Sequence, residues 1–287
     1  NLESGPEREN LTDRLTQESI QFIKDNRDRP FFVYLPFYAV HTPLQARQEL
    51  VTKYEGKLNP KNISPVYAAM VETVDKNVGK LLKGLAEMGL EENTILIFTS
   101  DNGGISSIST QEPLRAGKGS YYEGGIRVPC TIKWPGTDMA GKIIGEPISN
   151  LDFFPTFMEL LNVDIPNYRS DGQSLMPLLK GGTMEERPLF WHFPIYLEAY
   201  DPKMDDGRDP MFRTRPGSVV MQGDWKLHYY YEDNEIELYN LRDDLGERNN
   251  LNTSNPSKAK ELLNLLKVWL NETGAPIPKV PNPDYDS

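Results

Sequence analysis

Hydrophobic positions change their spacing three times along the chain. From Asn10 to Asn26 the residues Leu15, Ser19, Phe22 and Ile23 return at helical intervals, and Asp28-Arg29-Pro30 closes the run, which predicts a helix. Phe31–Leu35 is an aromatic and β-branched run, hence a predicted strand ended by Pro36. Ser64–Met88 is the longest helical pattern, with Tyr67, Met70, Val74, Val78, Leu81, Leu82 and Leu85 at three- and four-residue steps and Gly89 placed to end it. Ile95–Phe98 is a short continuous apolar run that stops at Asp101-Asn102-Gly103-Gly104, as a strand buried on both faces would. Strand, long helix, strand is a crossover, and crossovers join parallel strands. The expected fold is therefore α/β, a mainly parallel sheet flanked by helices. Thr131–Trp134 reads as a further strand opened by a buried Cys130, and Asn150–Leu161 as a helix.

After Lys180-Gly181-Gly182 the texture becomes short, aromatic and turn-punctuated. Pro188–Phe193, Ser218–Met221, Trp225–Tyr231 and Ile236–Leu241 read as strands, with hairpin chemistry at Gly223-Asp224 and Glu232-Asp233-Asn234, and Ser257–Leu270 as a last helix. This predicts a small C-terminal antiparallel sheet plus helix. The chain then divides into residues 1–184, an α/β part, and 185–287, a small α+β subdomain. Glu198–Arg215 is polar and bounded by prolines, as a loop over a site would be, and the Pro-rich tail from Gly274 reads as extended.

Composition narrows the functions. The 287 residues carry a net charge of −11, which argues against nucleic acid as the main partner. No apolar run is long enough for a membrane span. A single cysteine, Cys130, excludes an internal disulfide and a Cys-rich metal site.

Four stretches offer chemistry. Asp101 and Asn102 follow a strand, where α/β sheets place ligands, and present a carboxylate and an amide carbonyl. They are either a turn or a pair of oxygen ligands for a hard cation. His41, in Tyr38-Ala39-Val40-His41-Thr42-Pro43, follows the earlier strand; it is either a surface histidine or a proton donor on the same rim. Lys118 lies between glycines in Gly117-Lys118-Gly119, ahead of Tyr122-Glu123-Gly124-Gly125-Ile126-Arg127. It could meet an anion without crowding, or be a solvated loop lysine. His192, flanked by aromatics at the domain junction, is either structural or a residue lining the substrate side, able to bond sugar hydroxyls.

The stretches around His41, Asp101-Asn102 and Lys118, with Asp152-Phe153-Phe154-Pro155-Thr156 and Glu237-Leu238-Tyr239-Asn240-Leu241, come in the order found in type I, formylglycine-dependent sulfatases of the alkaline phosphatase superfamily, and the chain from about Leu11 to the final helix resembles their C-terminal part. The resemblance implies a sulfuric ester hydrolase acting on a sulfated small molecule or carbohydrate, periplasmic or secreted. It implies that Asp101 and Asn102 are ligands of one divalent cation, usually Ca2+, and that His41 and Lys118 contact the sulfate group and the bridging oxygen. The family attacks with a formylglycine made from Cys/Ser-x-Pro-x-Arg. Cys130 is followed by Thr131-Ile132-Lys133, and Ser254-Asn255-Pro256-Ser257-Lys258 ends in Lys. The paired aspartates that open such chains are also missing, and two ligands fall short of the roughly 6–8 oxygens calcium takes. The expectation is a chain without its nucleophile segment, inactive alone. A phosphate or phosphonate monoester hydrolase of the same superfamily and a non-catalytic carbohydrate-binding remnant are the alternatives.

Overall fold

The computed structural model describes residues 9–57, 63–164, 170–280 and 282–283. Contacts divide it into two compact units. One is Asn1–Leu96 with Ile108–Thr110; the other is Ile97–Ser107 with Gln111–Ser287. The expected boundary near residue 184 falls within the second.

The first unit is helical. Helix α1 (Leu11–Asp25) is capped by Asn10, whose side chain accepts from the Asp13 amide, and it buries Thr12, Thr16 and Ile23. Helix α2 (Gln48–Glu55) and helix α3 (Pro65–Glu87) follow. Ser64 caps α3 by accepting from the Tyr67 amide, Pro65 takes the first turn, where its missing N–H costs nothing, and Gly89 leaves the helix at φ +70°. Both shorter helices pack on α3. Gly84 faces Ile20 of α1, where a Cβ would make ordinary contact at 3.5 Å. Asp13 fixes the arrangement, taking Lys80 Nζ at 2.6 Å and Arg47 Nη2 at 2.5 Å.

The second unit carries the strands. β1 (Leu96–Thr99) enters it and pairs with β2 (Cys130–Lys133), after the single turn α4 (Glu123–Ile126). α5 (Phe153–Leu160) and α6 (Met176–Leu179) come next. β3 (Leu189–Phe193), β6 (Gly217–Gln222), β7 (Trp225–Tyr230) and β8 (Ile236–Asn240) form one antiparallel sheet in the order β3-β6-β7-β8. β4 (Leu197–Glu198) and β5 (Phe212–Thr214) form a separate antiparallel pair, and α7 (Pro256–Glu272) closes the chain. The two-residue turn Gly223-Asp224 joins β6 to β7 with Gly223 at φ +56°, the hairpin chemistry the sequence shows.

The small antiparallel sheet with one helix is present as expected; the mainly parallel sheet is not. Among the described residues the strands make only small sheets, and the largest is antiparallel. The predicted strand Phe31–Leu35 alternates half-buried and exposed positions but belongs to none of the sheets formed among the described residues. Phe32 and Tyr34 are 70% and 79% exposed. β propensity marks a surface that fits a sheet; it supplies no partner edge. Without that pairing the crossover from Phe31 to Phe98 does not form. Ile95–Phe98 is likewise not buried on both faces, because Phe98 stays exposed, and Cys130 is exposed rather than buried.

Period-two alternation gives the C-terminal sheet two different faces. Val220, Leu227 and Leu238 point one way, onto Ala259, Leu262, Leu266 and Leu270 of α7. Trp269 of that helix stacks on Phe190, centroids 4.7 Å apart. Lys226, His228, Tyr230, Glu237 and Tyr239 point the other way. They too are buried, against residues of the Gly-rich stretch that leads into α4.

Candidate functional site

The turn after β1 and the Gly-rich stretch are laced together through their backbones. The Gly103 amide donates to the Gly125 carbonyl at 2.9 Å, and the Lys118 amide donates to the Gly104 carbonyl at 2.8 Å. Glycine is required where they cross: a Cβ on Gly103 would stand 1.8 Å from the Gly124 oxygen, and one on Gly117 2.4 Å from the Gly104 oxygen. Asp101, Asn102 and Lys118 are thereby brought to one edge of the second unit.

Their side chains keep capacity for a ligand. Asp101 is exposed, and its Oδ1 accepts from the Asn102 amide at 2.9 Å. Asn102 donates through Nδ2 to the Gly103 carbonyl at 2.9 Å, so its Oδ1 is turned to other use. Lys118 is half-buried and, among the described residues, has no carboxylate within ion-pair distance. A carboxylate and an amide oxygen fit a hard divalent cation in kind. Two oxygens fall short of the shell such a cation takes, and among the described residues no group of three or more His, Cys, Asp and Glu could hold a metal.

His41 belongs to the first unit and is exposed. Its amide donates to the Tyr38 carbonyl at 3.0 Å, and Nδ1 lies 2.8 Å from the Thr42 carbonyl. A carbonyl only accepts, so the proton is assigned to Nδ1 and Nε2 faces outward. His192 is built differently. Nδ1 contacts Ser218 Oγ at 2.7 Å and Tyr231 Oη at 3.2 Å, and Nε2 donates to the Pro276 carbonyl at 3.1 Å. Both ring nitrogens are engaged between the sheet and the tail, which leaves none for a sugar hydroxyl. Burial lowers its pKa.

Behind the Gly-rich stretch lies a feature the sequence did not announce. Lys226 Nζ, fully buried, reaches Glu123 Oε1 at 2.8 Å and Glu247 Oε1 at 3.0 Å. Glu247 Oε2 accepts from the Glu123 amide at 2.5 Å, and His228 Nε2 donates to Glu247 Oε1 at 3.1 Å. Tyr122 donates to Glu237 at 2.7 Å, with Arg115 stacked 3.9 Å over its ring and bonded to the Glu247 carbonyl at 3.0 Å. Burial alone would raise the Glu247 carboxyl; the charge of Lys226 and the bonds from His228 and the Glu123 amide outweigh it and hold it at about 2. The clue in the sequence was Lys226 and His228 alternating with Leu227 and Tyr229 in a strand, which fits a solvated face until something is known to cover it.

Asp152 is a second buried acid. Its carboxylate accepts from the Ser149 amide at 2.7 Å, from the Gln173 amide at 2.9 Å and from Arg187, so it ties the start of α5 to a distant turn and makes no contact with the Asp101 edge among its hydrogen bonds. Ser4-Gly5-Pro6-Glu7-Arg8 satisfies Cys/Ser-x-Pro-x-Arg, as the stretches at Cys130 and Ser254 do not, and lies outside the described residues.

Comparison with known proteins identifies the family. The family model described as Sulfatase matches residues 2–163, and one described as N-sulphoglucosamine sulphohydrolase, C-terminal, matches residues 117–275. A sulfatase of Formosa agariphila is 36% identical over the whole chain, which covers 56% of that protein. Human steryl-sulfatase is 31% identical over 96% of the chain and 50% of its own length. The chain thus spans about half the length of these relatives. Among solved structures, that of Ps i-CgsB in complex with k-i-k-neocarrahexaose superposes with a TM-score of 0.77 at 30% identity, over 94% of this chain and 56% of that one. BT4656, in complex with its substrate D-glucosamine-2-N,6-O-disulfate, shares the fold with a TM-score of 0.75 at 20% identity, over 94% of this chain and 71% of that one. With both halves of the chain matched and the Asp-Asn-Gly-Gly turn locked to the Gly-Lys-Gly stretch, this protein belongs to the sulfatase family.

Proposed function

We propose that the full-length protein hydrolyses a sulfate ester, of a sulfated carbohydrate or an aryl alcohol, to the alcohol and sulfate. One observation carries the reading: an uncommitted carboxylate oxygen, an uncommitted amide oxygen and an unpaired ammonium share one backbone-locked edge. Lys118 would bind a sulfate oxygen and stabilise the charge that gathers there as the S–O bond breaks. Asp101 and Asn102 would hold a divalent cation, calcium by family, with further oxygens completing its shell. Bound there, such an ion supplies positive charge against the sulfate oxygens. His41, whose Nδ1 is held by the Thr42 carbonyl, would give a proton from Nε2 to the departing alcohol oxygen when its ring carries both protons. The relatives' sulfated substrates and the family resemblance support a carbohydrate substrate and a periplasmic or secreted location.

The experiment is turnover of an aryl sulfate and of sulfated saccharides by the full-length protein, with and without a chelator. The expected result is hydrolysis that chelation abolishes and calcium restores. Turnover of phosphate monoesters in preference to sulfates, or none of either by calcium-replete protein, contradicts the proposal. Peptide mapping with an aldehyde-reactive probe locates the nucleophile, Ser4 included.

A further inference from the structure

Next to Lys118 stands a second cation that the proposed chemistry does not use. Arg213, on β5, donates from Nη1 to the Lys118 carbonyl at 3.2 Å and from Nε to the Glu198 carbonyl at 2.7 Å. Its guanidinium lies 3.5 Å over the ring of Tyr200. Gly119, at φ +87°, makes the approach possible, since a Cβ there would be 2.8 Å from Arg213 Nη1. Among the described residues Arg213 has no carboxylate within ion-pair distance, and its Nη2 makes no hydrogen bond. Neighbouring arginines behave otherwise: Arg208 and Arg215 face Asp233 and Asp209, and Arg248 faces Asp206.

In a chain with eleven more acidic than basic side chains, two cations without an acid partner among the described residues, one guanidinium bonded to the backbone of the other residue, are a departure that an anion would relieve. The geometry also selects the kind of ligand. A guanidinium held flat on an aromatic ring and pinned through Nε and Nη1 presents its remaining edge as a planar fork, suited to two oxygens of one anion. Tyr200 is 51% exposed, an amphipathic ring of the kind sugars pack against. Its backbone is fixed, because its amide and that of Asp201 donate to buried Asp205 at 2.6 and 3.2 Å.

We propose that Arg213 and Tyr200 form a second subsite beside Lys118, which takes a sulfate or carboxylate on the sugar of a saccharide carrying more than one negative group. The subsite rests on the sulfatase reading only for the group that Lys118 takes; it deepens that reading by naming the substrate as a multiply charged saccharide.

The test uses the full-length protein, metal-free so that nothing turns over. Calorimetry compares a disulfated disaccharide with its counterpart keeping only one sulfate. The disulfated ligand is expected to bind about tenfold more tightly, the effect of one charge-assisted contact. Arg213→Gln should remove that preference, and Arg213→Lys, which keeps the charge, should keep part of it. No preference in the wild type, equal weakening of both ligands by Arg213→Gln, or Arg213→Lys as poor as Arg213→Gln would overturn the proposal, since a brace for the Lys118 backbone gives those results. Should the preference and its loss appear while calcium-replete protein desulfates neither ligand, the subsite stands and the proposed reaction fails.

Discussion

The two sides of the Gly-rich stretch treat charge in opposite ways. On one side Glu123 is buried with Lys226, Glu247 and His228, each charge matched and each polar atom bonded. On the other, five residues back, Lys118 is half-buried with no acid to meet it, beside the exposed Asp101. The contrast separates scaffold from site. Buried charges are tolerated only when paired, because desolvation costs more than an isolated charge recovers. A charge left unpaired at an edge gains nothing for folding and stays available to a ligand. The same rule separates the arginines: Arg187, against the fully buried Asp152, is scaffold, whereas Arg213 is not matched in this way.

The largest expected effect tests the scaffold side. Lys226→Met would leave Glu123 and Glu247 buried around a missing cation and should cost about 3–5 kcal/mol of stability, read by denaturant unfolding. A loss under about 1 kcal/mol would mean the cluster is not what holds the stretch to the sheet.

A smaller effect follows from Glu247. Its folded pKa of about 2 lies below that of a free glutamate, so its contribution is present above the unfolded value and is lost as pH falls through about 4 towards 2. Stability should decline over that window by on the order of 2–3 kcal/mol more in the wild type than in Glu247→Gln, measured by melts across the pH series. Parallel curves for the two proteins would show that the carboxylate is no longer held down by Lys226 and His228.

How much of this was legible beforehand depends on where each residue's partners lie. The helix starts near Asn10 and Ser64, the stop at Gly89 and the hairpin at Gly223-Asp224 are local, and they stand in the structure as read. The four strands and one helix of the C-terminal sheet were legible for the same reason. Phe31–Leu35 failed because pairing is not local: its composition fits a strand, but it joins none of the sheets formed among the described residues. The site was legible as residue types, Asp101, Asn102 and Lys118, and its locking was foreshadowed by the glycines. What could not be read was which glycine meets which carbonyl, or that Lys226 and His228, alternating in an ordinary-looking strand, face a buried acid about twenty residues on. His192 shows the reverse: an attractive position whose two nitrogens are consumed by Ser218, Tyr231 and Pro276.

The most direct test of the distinction between scaffold and site is Lys118→Met in the full-length protein, with melting temperature and sulfate-ester turnover measured on the same preparation. An unpaired lysine at a functional edge should give a melting temperature within about 2 °C of the wild type, since surface changes of this kind stay within about 0.5 kcal/mol. Turnover should fall by about a hundredfold or more, as loss of a charge-stabilising donor does. Unchanged turnover, or a fall in melting temperature as large as that of Lys226→Met, would contradict the account.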